Sequence, residues 1–324
     1  LKPDNEISDT IALGEVRASV EEIKGPVLYN LRAGARRETY LNDSFDDRDY
    51  YNLGLTSNWW MIEERFNWRL DNFYGQRVIN PLDGDTPTNI QNSNHFRFGT
   101  DIIFPISGRQ EITLVPQYDK FYYSVNTTDN EQYSLVLTWD YQLFRLTNIA
   151  IILAGRTIEY DDVALADTTF TNASFTVSGR RVHFAYSVNL GVTTVRRDIV
   201  QQGGAVIPDE NSGITGNANM LIELSSRSNL DLLVLSDVTD TSRVSTIDAP
   251  GNPNEVTLTA DVIRNSIAGV SYTRQDESLN TEIYGRLREI RYADNTDLTS
   301  LNQSVGAKLG FPITQLTTSG VYVD

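Results

Sequence analysis

The sequence predicts an all-β chain that forms a transmembrane, antiparallel up-and-down β-barrel. Three observations support this: apolar and polar residues alternate along most of the chain, the alternating segments are long, and tight turns alternate with longer polar loops. A tilted strand of roughly 9 to 11 residues crosses a bilayer. Barrels of the bacterial outer membrane show apolar-out, polar-in alternation with short turns on one side and longer loops on the other.

Segment 132–144 shows the alternation most clearly. Leu135, Leu137 and Trp139 fall on one face, while Asp140 and Gln142 fall on the other. Successive side chains of a strand point to opposite faces, so this segment presents an apolar and a polar surface. We expect the apolar surface to face lipid and the polar surface to face water.

Two further segments follow the same rule. In 95–104, Phe96 and Phe98 alternate with Arg97 and Asp101. In 182–195, large apolar residues alternate with small polar ones, and His183 joins the polar set. A water-soluble β-sandwich also shows alternation, and it remains the alternative fold. The aromatic and aliphatic residues that continue for the full strand length favour the membrane barrel.

The connections divide into two kinds. Tight turns fall at positions such as Gly25-Pro26, Ser107-Gly108 and Gly179-Arg180. The predicted longer, polar loops are 42–49, 78–93, 124–131, 161–167, 198–212, 240–254 and 293–300. This arrangement is typical of transmembrane barrels, with the longer loops on the outside of the cell.

The strand count sets the predicted domain organisation. Counting from 27–41 to 315–323 gives fifteen segments, if 255–265 belongs to an extended outer loop. Bacterial single-chain barrels have even strand numbers. We therefore predict a periplasmic N-terminal segment at 1–26 and a barrel at 27–324, with the full protein closing as 16 or 18 strands.

Composition excludes several classes of function. The net charge is −16, with 43 Asp and Glu against 27 Lys and Arg, and nucleic-acid binding needs the opposite balance. Cysteine is absent and only His95 and His183 are present, which argues against thiolate or three-histidine metal sites. No apolar stretch reaches the roughly 20 residues of a membrane-spanning helix. We expect no nucleic-acid partner, no metal and no cofactor.

Segments 41–50, 155–170 and 178–198 carry a family resemblance. Their residues, including Arg48-Asp49-Tyr50 and Arg196-Arg197-Asp198, resemble outer-membrane β-barrel porins associated with bacterial exopolysaccharide and PEP-CTERM (exosortase) gene clusters. The resemblance implies an outer-membrane location and a role in exopolysaccharide export. It also implies outer-membrane lipid, polysaccharide and periplasmic export components as partners, and it carries over no catalytic residues.

By alternation, charged side chains of both signs face inward. The predicted lumen-lining residues are Arg32, Arg36, Arg65, Arg69, Arg97, Asp101, Asp140, Arg156, His183, Glu223, Asp231, Arg286, Arg288 and Lys308. Two interpretations are compatible: opposite charges pair across strands and stabilise the wall, or charged rings tune which solutes pass. Arg65, Arg69 and Arg97 are expected to form a locally positive stretch.

The leading hypothesis is an outer-membrane barrel that gives a hydrophilic solute, expected to be an exopolysaccharide, a path across the membrane. The alternative is a non-conducting structural or partner-binding barrel. A third and weaker hypothesis is a lipid-modifying enzyme that uses His183 with Ser187, since such a site needs a nucleophile beside a base. A lumenal imidazole hydrogen-bonded among polar side chains is the favoured interpretation of this pair, so we predict no enzyme.

Overall fold

The computed structural model describes residues 10–42, 46–79, 89–200, 206–241, 261–276, 279–294, 296–312 and 318–323. These residues form sixteen strands in one sheet and a short 3-10 helix, Thr296–Leu298. No helix in this part of the chain is long and apolar enough to cross a membrane. The fold is therefore built from strands, as the alternation predicts.

The strands are β1 (Ile11–Glu22), β2 (Val27–Tyr40), β3 (Arg48–Ile62), β4 (Phe66–Val78), β5 (Ile90–Ser107), β6 (Gln110–Tyr123), β7 (Asn130–Phe144), β8 (Thr147–Tyr160), β9 (Thr168–Arg180), β10 (Phe184–Val200), β11 (Val206–Ser225), β12 (Ser228–Asp240), β13 (Val262–Gln275), β14 (Asn280–Tyr292), β15 (Ser300–Pro312) and β16 (Thr318–Val323). Each strand pairs antiparallel with the next strand along the chain. The predicted all-β, antiparallel, up-and-down architecture is confirmed. Among the described residues, β1 and β16 are not paired with each other.

Strand β1 lies within the segment that the sequence analysis assigned to the periplasm. It pairs with β2 along its whole length, from Ile11 opposite Tyr40 to Glu22 opposite Tyr29. The described residues therefore contain a strand before residue 27 and sixteen strands in all. Val16 and Val20 alternate with polar neighbours. The alternation in this strand is weak in the sequence, because most of the other residues on its outer face are small.

Two predicted loops are shorter than expected. The loop assigned to 198–212 is wrong, because β10 continues to Val200 and β11 begins at Val206, where the two remain paired. Similarly, β13 begins at Val262, inside the 255–265 segment that was assigned to an extended loop. Polar residues near strand ends favour a loop prediction, although in the structure the antiparallel pairing continues through them.

One face of the sheet is apolar and exposed. Leu137 and Leu153 are directly opposite each other on β7 and β8, and they are 38% and 49% exposed. Other exposed apolar residues on this outer face include Val16, Val20, Leu31, Leu53, Trp68, Phe98, Leu135, Ile151, Phe175, Val188, Leu190, Val234, Val270, Ile283, Leu287, Leu301 and Val305. An uncovered apolar surface that spans strand after strand is unfavourable in water and is the surface that lipid covers in a transmembrane barrel.

The opposite face, here called the inner face, is concave. The guanidinium of Arg156 on β8 donates to Thr239 Oγ1 on β12 at 3.0 Å. Neighbouring strands lie about 4.8 Å apart, so two strands separated by three others in the sheet order are far apart in a flat sheet. The direct contact requires the sheet to curve toward this face.

Strands β11 and β12 separate toward the end of the sheet that carries the longer loops, here called the long-loop end. Their pairing stops at Gly216 opposite Ser236, although β12 continues to Asp240. Beyond that point both faces of β12 and β13 are buried, since the consecutive residues Val262 and Ile263 are 8% and 0% exposed. A cluster of Ile158, Tyr160, Phe170, Val195 and Val262 packs the end of β13 against the inner face of β8–β10.

Candidate functional site on the inner face

Two of the predicted lumen-lining residues lie in turns. Arg65 follows β3, where its backbone N–H donates to the carbonyl of Ile62 at 3.0 Å, and it is exposed. His183 precedes β10 and is also exposed. Both residues lie in tight antiparallel connections of two or three residues, although their carbonyls still accept hydrogen bonds from Ile103 N and Glu223 N on the adjacent strands. Glu64, at φ 56°, is in the left-handed region that such a turn requires.

The stretch predicted to be positive is neutralised by ion pairs. Arg69 lies 2.9 Å from Asp101, and Arg97 lies 2.9 Å from Asp119 and 3.8 Å from Asp71. The register puts Arg97 between Asp71 and Asp119 on its two neighbouring strands. The expectation of a locally positive wall at these arginines is wrong, because cross-strand carboxylates balance Arg69 and Arg97.

Asp119 also binds His95, so the ion pairs form a network across three strands. His95 Nε2 lies 2.7 Å from Asp119 Oδ1, and Gln117 donates to Asp119 Oδ2 at 2.6 Å. The imidazole stacks on Phe121 with ring centroids 4.2 Å apart. The cross-strand register places His95 beside Asp119, among polar and aromatic side chains.

A second buried network lies at the long-loop end of β8–β14. Arg156 is 8% exposed, lies 3.0 Å from Asp240, and stacks 4.3 Å above the ring of Phe170. Arg288 is 2% exposed and donates from Nε to Asn265 Oδ1 at 3.0 Å. These two predicted residues are on the inner face and are engaged in packing and hydrogen bonding within it.

Other predicted residues are distributed along the inner face. Arg36 pairs with Glu38 at 2.8 Å, Lys308 with Glu282 at 3.4 Å, and Glu223 with Arg180 at 3.5 Å. Among the described residues, Arg32 forms no ion pair with a carboxylate. Its Nε atom donates to Asn30 Oδ1 at 3.0 Å. Asp140 is opposite Glu111, Asp231 is opposite Leu221 and Ser271, and Arg286 is opposite Gly269. The structure therefore brings the candidates together as local pairs and not as one site.

A polar cavity with a mainly uncharged lining adjoins Arg156 of the second network and is not predicted by the sequence analysis. It has a volume of about 340 Å³ and is called the asparagine–threonine cavity. Its lining includes Asn172, Asn189, Thr193, Thr215 and Asn217, with Phe170 and Leu235 at its apolar side and Arg156 and Asp237 among its charged residues. The signal available in the sequence was amide and hydroxyl residues at every second position on three consecutive strands.

Hydrogen bonds hold the polar lining in place. Asn172 donates to Thr193 Oγ1 at 2.9 Å and to Thr215 Oγ1 at 3.2 Å, while the two threonine hydroxyls lie 3.1 Å apart. Asn189 donates to Ser174 Oγ at 3.1 Å and to Thr176 Oγ1 at 2.7 Å. Amide and hydroxyl groups retain further donor and acceptor capacity after such bonds. The cavity can therefore hydrogen-bond an uncharged polar solute.

Within the described residues, no group of three or more His, Asp or Glu side chains is arranged to hold a metal ion. Ser187, which the enzyme hypothesis paired with His183, is opposite Ser178 and Asn219 in the ladder. His183 itself lies in the turn before β10. The inner face offers hydrogen-bonding and ion-pairing chemistry for contact with a solute.

Comparison with known proteins identifies the fold. No protein-family model matches the chain, and no curated protein matches it. The FrpB iron transporter from Neisseria meningitidis is similar in structure: its F5-1 variant in the apoprotein form has a TM-score of 0.54 at 9% identity, covering 97% of this chain and 59% of that chain. The F3-3 variant gives a TM-score of 0.53 at 9% identity, with 96% and 59% covered.

The copper transporter OprC is also similar, with a TM-score of 0.51 at 8% identity, covering 97% of this chain and 59% of that chain. The chain thus spans about three-fifths of the length of these solved structures. At this level of identity the likeness concerns the fold. Together with the exposed apolar outer face, it shows that this chain has an outer-membrane β-barrel fold and belongs in the bacterial outer membrane.

Proposed function

We propose that the chain forms the wall of an outer-membrane barrel that gives a hydrophilic solute a path across the membrane, and that this solute is a carbohydrate. The family resemblance of the sequence suggests exopolysaccharide as the carbohydrate and export as the direction. The observation that carries the proposal is the asparagine–threonine cavity on the inner face, whose lining is mainly uncharged hydrogen-bonding groups.

The chemistry of the cavity suits a polyhydroxylated solute. A sugar presents hydroxyl groups that both donate and accept, and side-chain amides and hydroxyls match both roles. The apolar side, at Phe170 and Leu235, offers a surface for the C–H faces of a sugar ring. Ligand sites commonly combine an apolar lining with a few placed polar groups, and they occur within the mouths of barrels.

The similar solved structures are titled as iron and copper transporters. Those titles describe the other proteins, and they support passage of a solute for this chain only through the shared fold. Hydrophilic passage also agrees with the paired charges of the inner face, because a wall of paired charges still surrounds water. Charged and polar lining residues are the general means by which membrane pores select solutes.

The test is solute uptake by liposomes that contain the full-length protein. We expect neutral sugars such as glucose and maltotriose to enter, and maltotriose binding to weaken about tenfold in Asn189→Leu, as loss of one or two good hydrogen bonds implies. Asn148→Leu is the matched control. Asn148, on β8, is on the inner face as Asn189 is, but it lies outside the cavity. Equal effects of both substitutions would contradict the assignment of the cavity.

A second function has its own supporting observation. The ends of β12 and β13 pack against the inner face of β8–β10, which fills part of the interior at the long-loop end. This arrangement favours a structural or partner-binding barrel that does not conduct. Liposomes that contain the intact protein and take up neither glucose nor maltotriose would support this second function and reject the first.

A further inference from the structure

A second cavity on the inner face of β1–β5 has a different chemistry. It has a volume of about 490 Å³ and is lined by Arg17, Arg32, Arg36 and Arg77, with Glu15 as its acidic residue. It is called the arginine cavity. The four arginines lie at inward-facing positions of three strands. In the β1–β2 ladder, Arg17 is opposite Gly34 and Arg36 is opposite Glu15; in the β4–β5 ladder, Arg77 is opposite Gln91. The cavity therefore opens to the interior of the barrel and not to lipid.

The arginines of this cavity differ in their partners. Arg17 pairs with Glu15 at 2.6 Å, and Arg36 pairs with Glu38 at 2.8 Å. Arg32 has only the amide oxygen of Asn30 at 3.0 Å. No carboxylate among the described residues forms an ion pair with Arg32 or Arg77. Among the described residues, the cavity thus holds two arginines, Arg32 and Arg77, that no carboxylate pairs with.

Arg77 is the most informative of these residues. It is 7% exposed, and its Nε atom is buried without a hydrogen-bond partner. A buried charge without a counter-charge is costly, so buried cations in proteins are normally paired. The other strongly buried arginines show the usual solution, since Arg156 lies 3.0 Å from Asp240 and Arg197 lies 3.8 Å from Asp261. In the part of the chain that the structure describes, Arg77 has no such carboxylate.

The space beside these arginines arises from glycine. Gly54 and Gly75 line the cavity on the inward register of β3 and β4. A Cβ atom at Gly54 would lie 3.5 Å from the ring of Phe73, which is ordinary contact. The backbone at position 54 therefore accepts a Cβ atom, and we expect a longer side chain there to extend into the cavity.

We infer that the arginine cavity is a binding site for the carboxylate or phosphate group of a soluble anionic solute inside the barrel. Guanidinium groups match both anions geometrically through paired N–H donors. Arg32 and Arg77 supply the uncompensated charge, and the inward register selects a solute in the lumen over a lipid headgroup. This site is separate from the asparagine–threonine cavity and extends the proposed function to acidic solutes.

The test uses glucose 6-phosphate as the probe and glucose as its uncharged counterpart. Binding to the full-length protein is measured by isothermal titration calorimetry in detergent at low salt. We expect glucose 6-phosphate to bind, and its affinity to fall about tenfold or more in Arg32→Gln/Arg77→Gln, because loss of one hydrogen bond to a charged group already weakens binding by about that factor. The difference in affinity between the two probes should shrink in the same variant.

The matched control is Arg37→Gln/Arg291→Gln, which removes the same charge from exposed outward positions whose arginines pair with Asp47 and Glu289. This control should bind glucose 6-phosphate as the unsubstituted protein does. Gly54→Leu provides a second test, since it fills the cavity without a change of charge and should also abolish binding. Arg32→Gln alone serves if the double variant fails to fold, because Arg32 is exposed.

Three results would overturn the inference: no binding of glucose 6-phosphate by the unsubstituted protein, equal weakening in the outward control, or unchanged binding in Gly54→Leu. Uptake of glucose into liposomes is measured in parallel and should not change in Arg32→Gln/Arg77→Gln. Failure of the unsubstituted protein to bind glucose 6-phosphate, with glucose uptake intact, therefore rejects this inference alone. Failure of the unsubstituted protein to take up glucose, with glucose 6-phosphate binding intact, rejects the proposed function alone.

Discussion

Arg156 on β8 and Asp240 at the end of β12 form a buried ion pair with a separation of 3.0 Å. Their side chains are 8% and 2% exposed. The two strands are not neighbours in the sheet, so this pair connects its curved inner face across β9, β10 and β11. It lies beside the cluster in which Val262 packs against Ile158 and Phe170, and we expect it to hold the ends of β12 and β13 against β8–β10.

Removal of one partner of this pair should be strongly destabilising. We expect Asp240→Ala to lower the free energy of unfolding by about 3 kcal/mol, because it leaves the Arg156 charge buried. Arg156→Met/Asp240→Leu should cost less than Asp240→Ala, since an apolar pair leaves no buried charge. Urea unfolding in detergent micelles measures both variants. A double variant that is less stable than Asp240→Ala would contradict this prediction.

Substitutions on the two faces of β7 should differ. Leu137→Arg places a charge on the exposed apolar face and should cost about 2 to 4 kcal/mol near the bilayer midplane. Thr138→Arg, on the inner face of the same strand, should be tolerated. Heat-modifiable mobility on gels reports the folded fraction of each variant. Equal tolerance of both arginines would argue against lipid contact at Leu137.

The network around Asp119 should matter more for stability than an outward ion pair. Asp119→Ala leaves Arg97 without its 2.9 Å partner and His95 without its 2.7 Å partner, and breaking a buried pair costs about 3 to 5 kcal/mol. Glu131→Ala is the control on the outer face, where the pair with Lys120 is exposed and worth about 0 to 1 kcal/mol. Chemical unfolding of the two variants should separate them clearly. Similar losses of stability in the two variants would show that the network contributes no more than an exposed ion pair.

Acid should release the segment after β14 from β10. Arg197 donates to Asp294 Oδ1 at 3.2 Å, and this hydrogen bond and the nearby charge hold the pKa of Asp294 below its ordinary value of 3.8. Because the folded-state pKa is lowered, the stabilising contribution is complete above the unfolded-state pKa and is lost as the pH falls through the folded-state value.

Proteolysis as a function of pH checks this prediction, with cleavage near Asp294 as the readout. We expect the segment to become more accessible below about pH 4, where the carboxylate begins to bind a proton. Asp294→Asn lacks the titrating group, so its cleavage should be higher at neutral pH and change less with acid. A variant with the same pH profile as the unsubstituted protein would show that another group controls the segment.

The sequence by itself determined the fold class and most of the strands. Period-two alternation is a local property, so the faces of β5 and β7 followed from residues such as Phe96, Arg97, Leu137 and Asp140. The fifteen segments counted from residue 27 correspond to β2–β16. Strand β1 was missed because small residues weaken the alternation that a larger side chain would make visible.

Only the tertiary structure decided which inner-face residues meet. The partner of His95 is Asp119 because of the register between β5 and β6, and a register of this kind is not encoded in the alternation of either strand. The partner of Arg156 depends on curvature and on the separation of β11 from β12. The two cavities arise in the same way, since each wall combines side chains of several strands that register and curvature bring together. Alternation determines the face of a side chain, whereas register and curvature determine its neighbours.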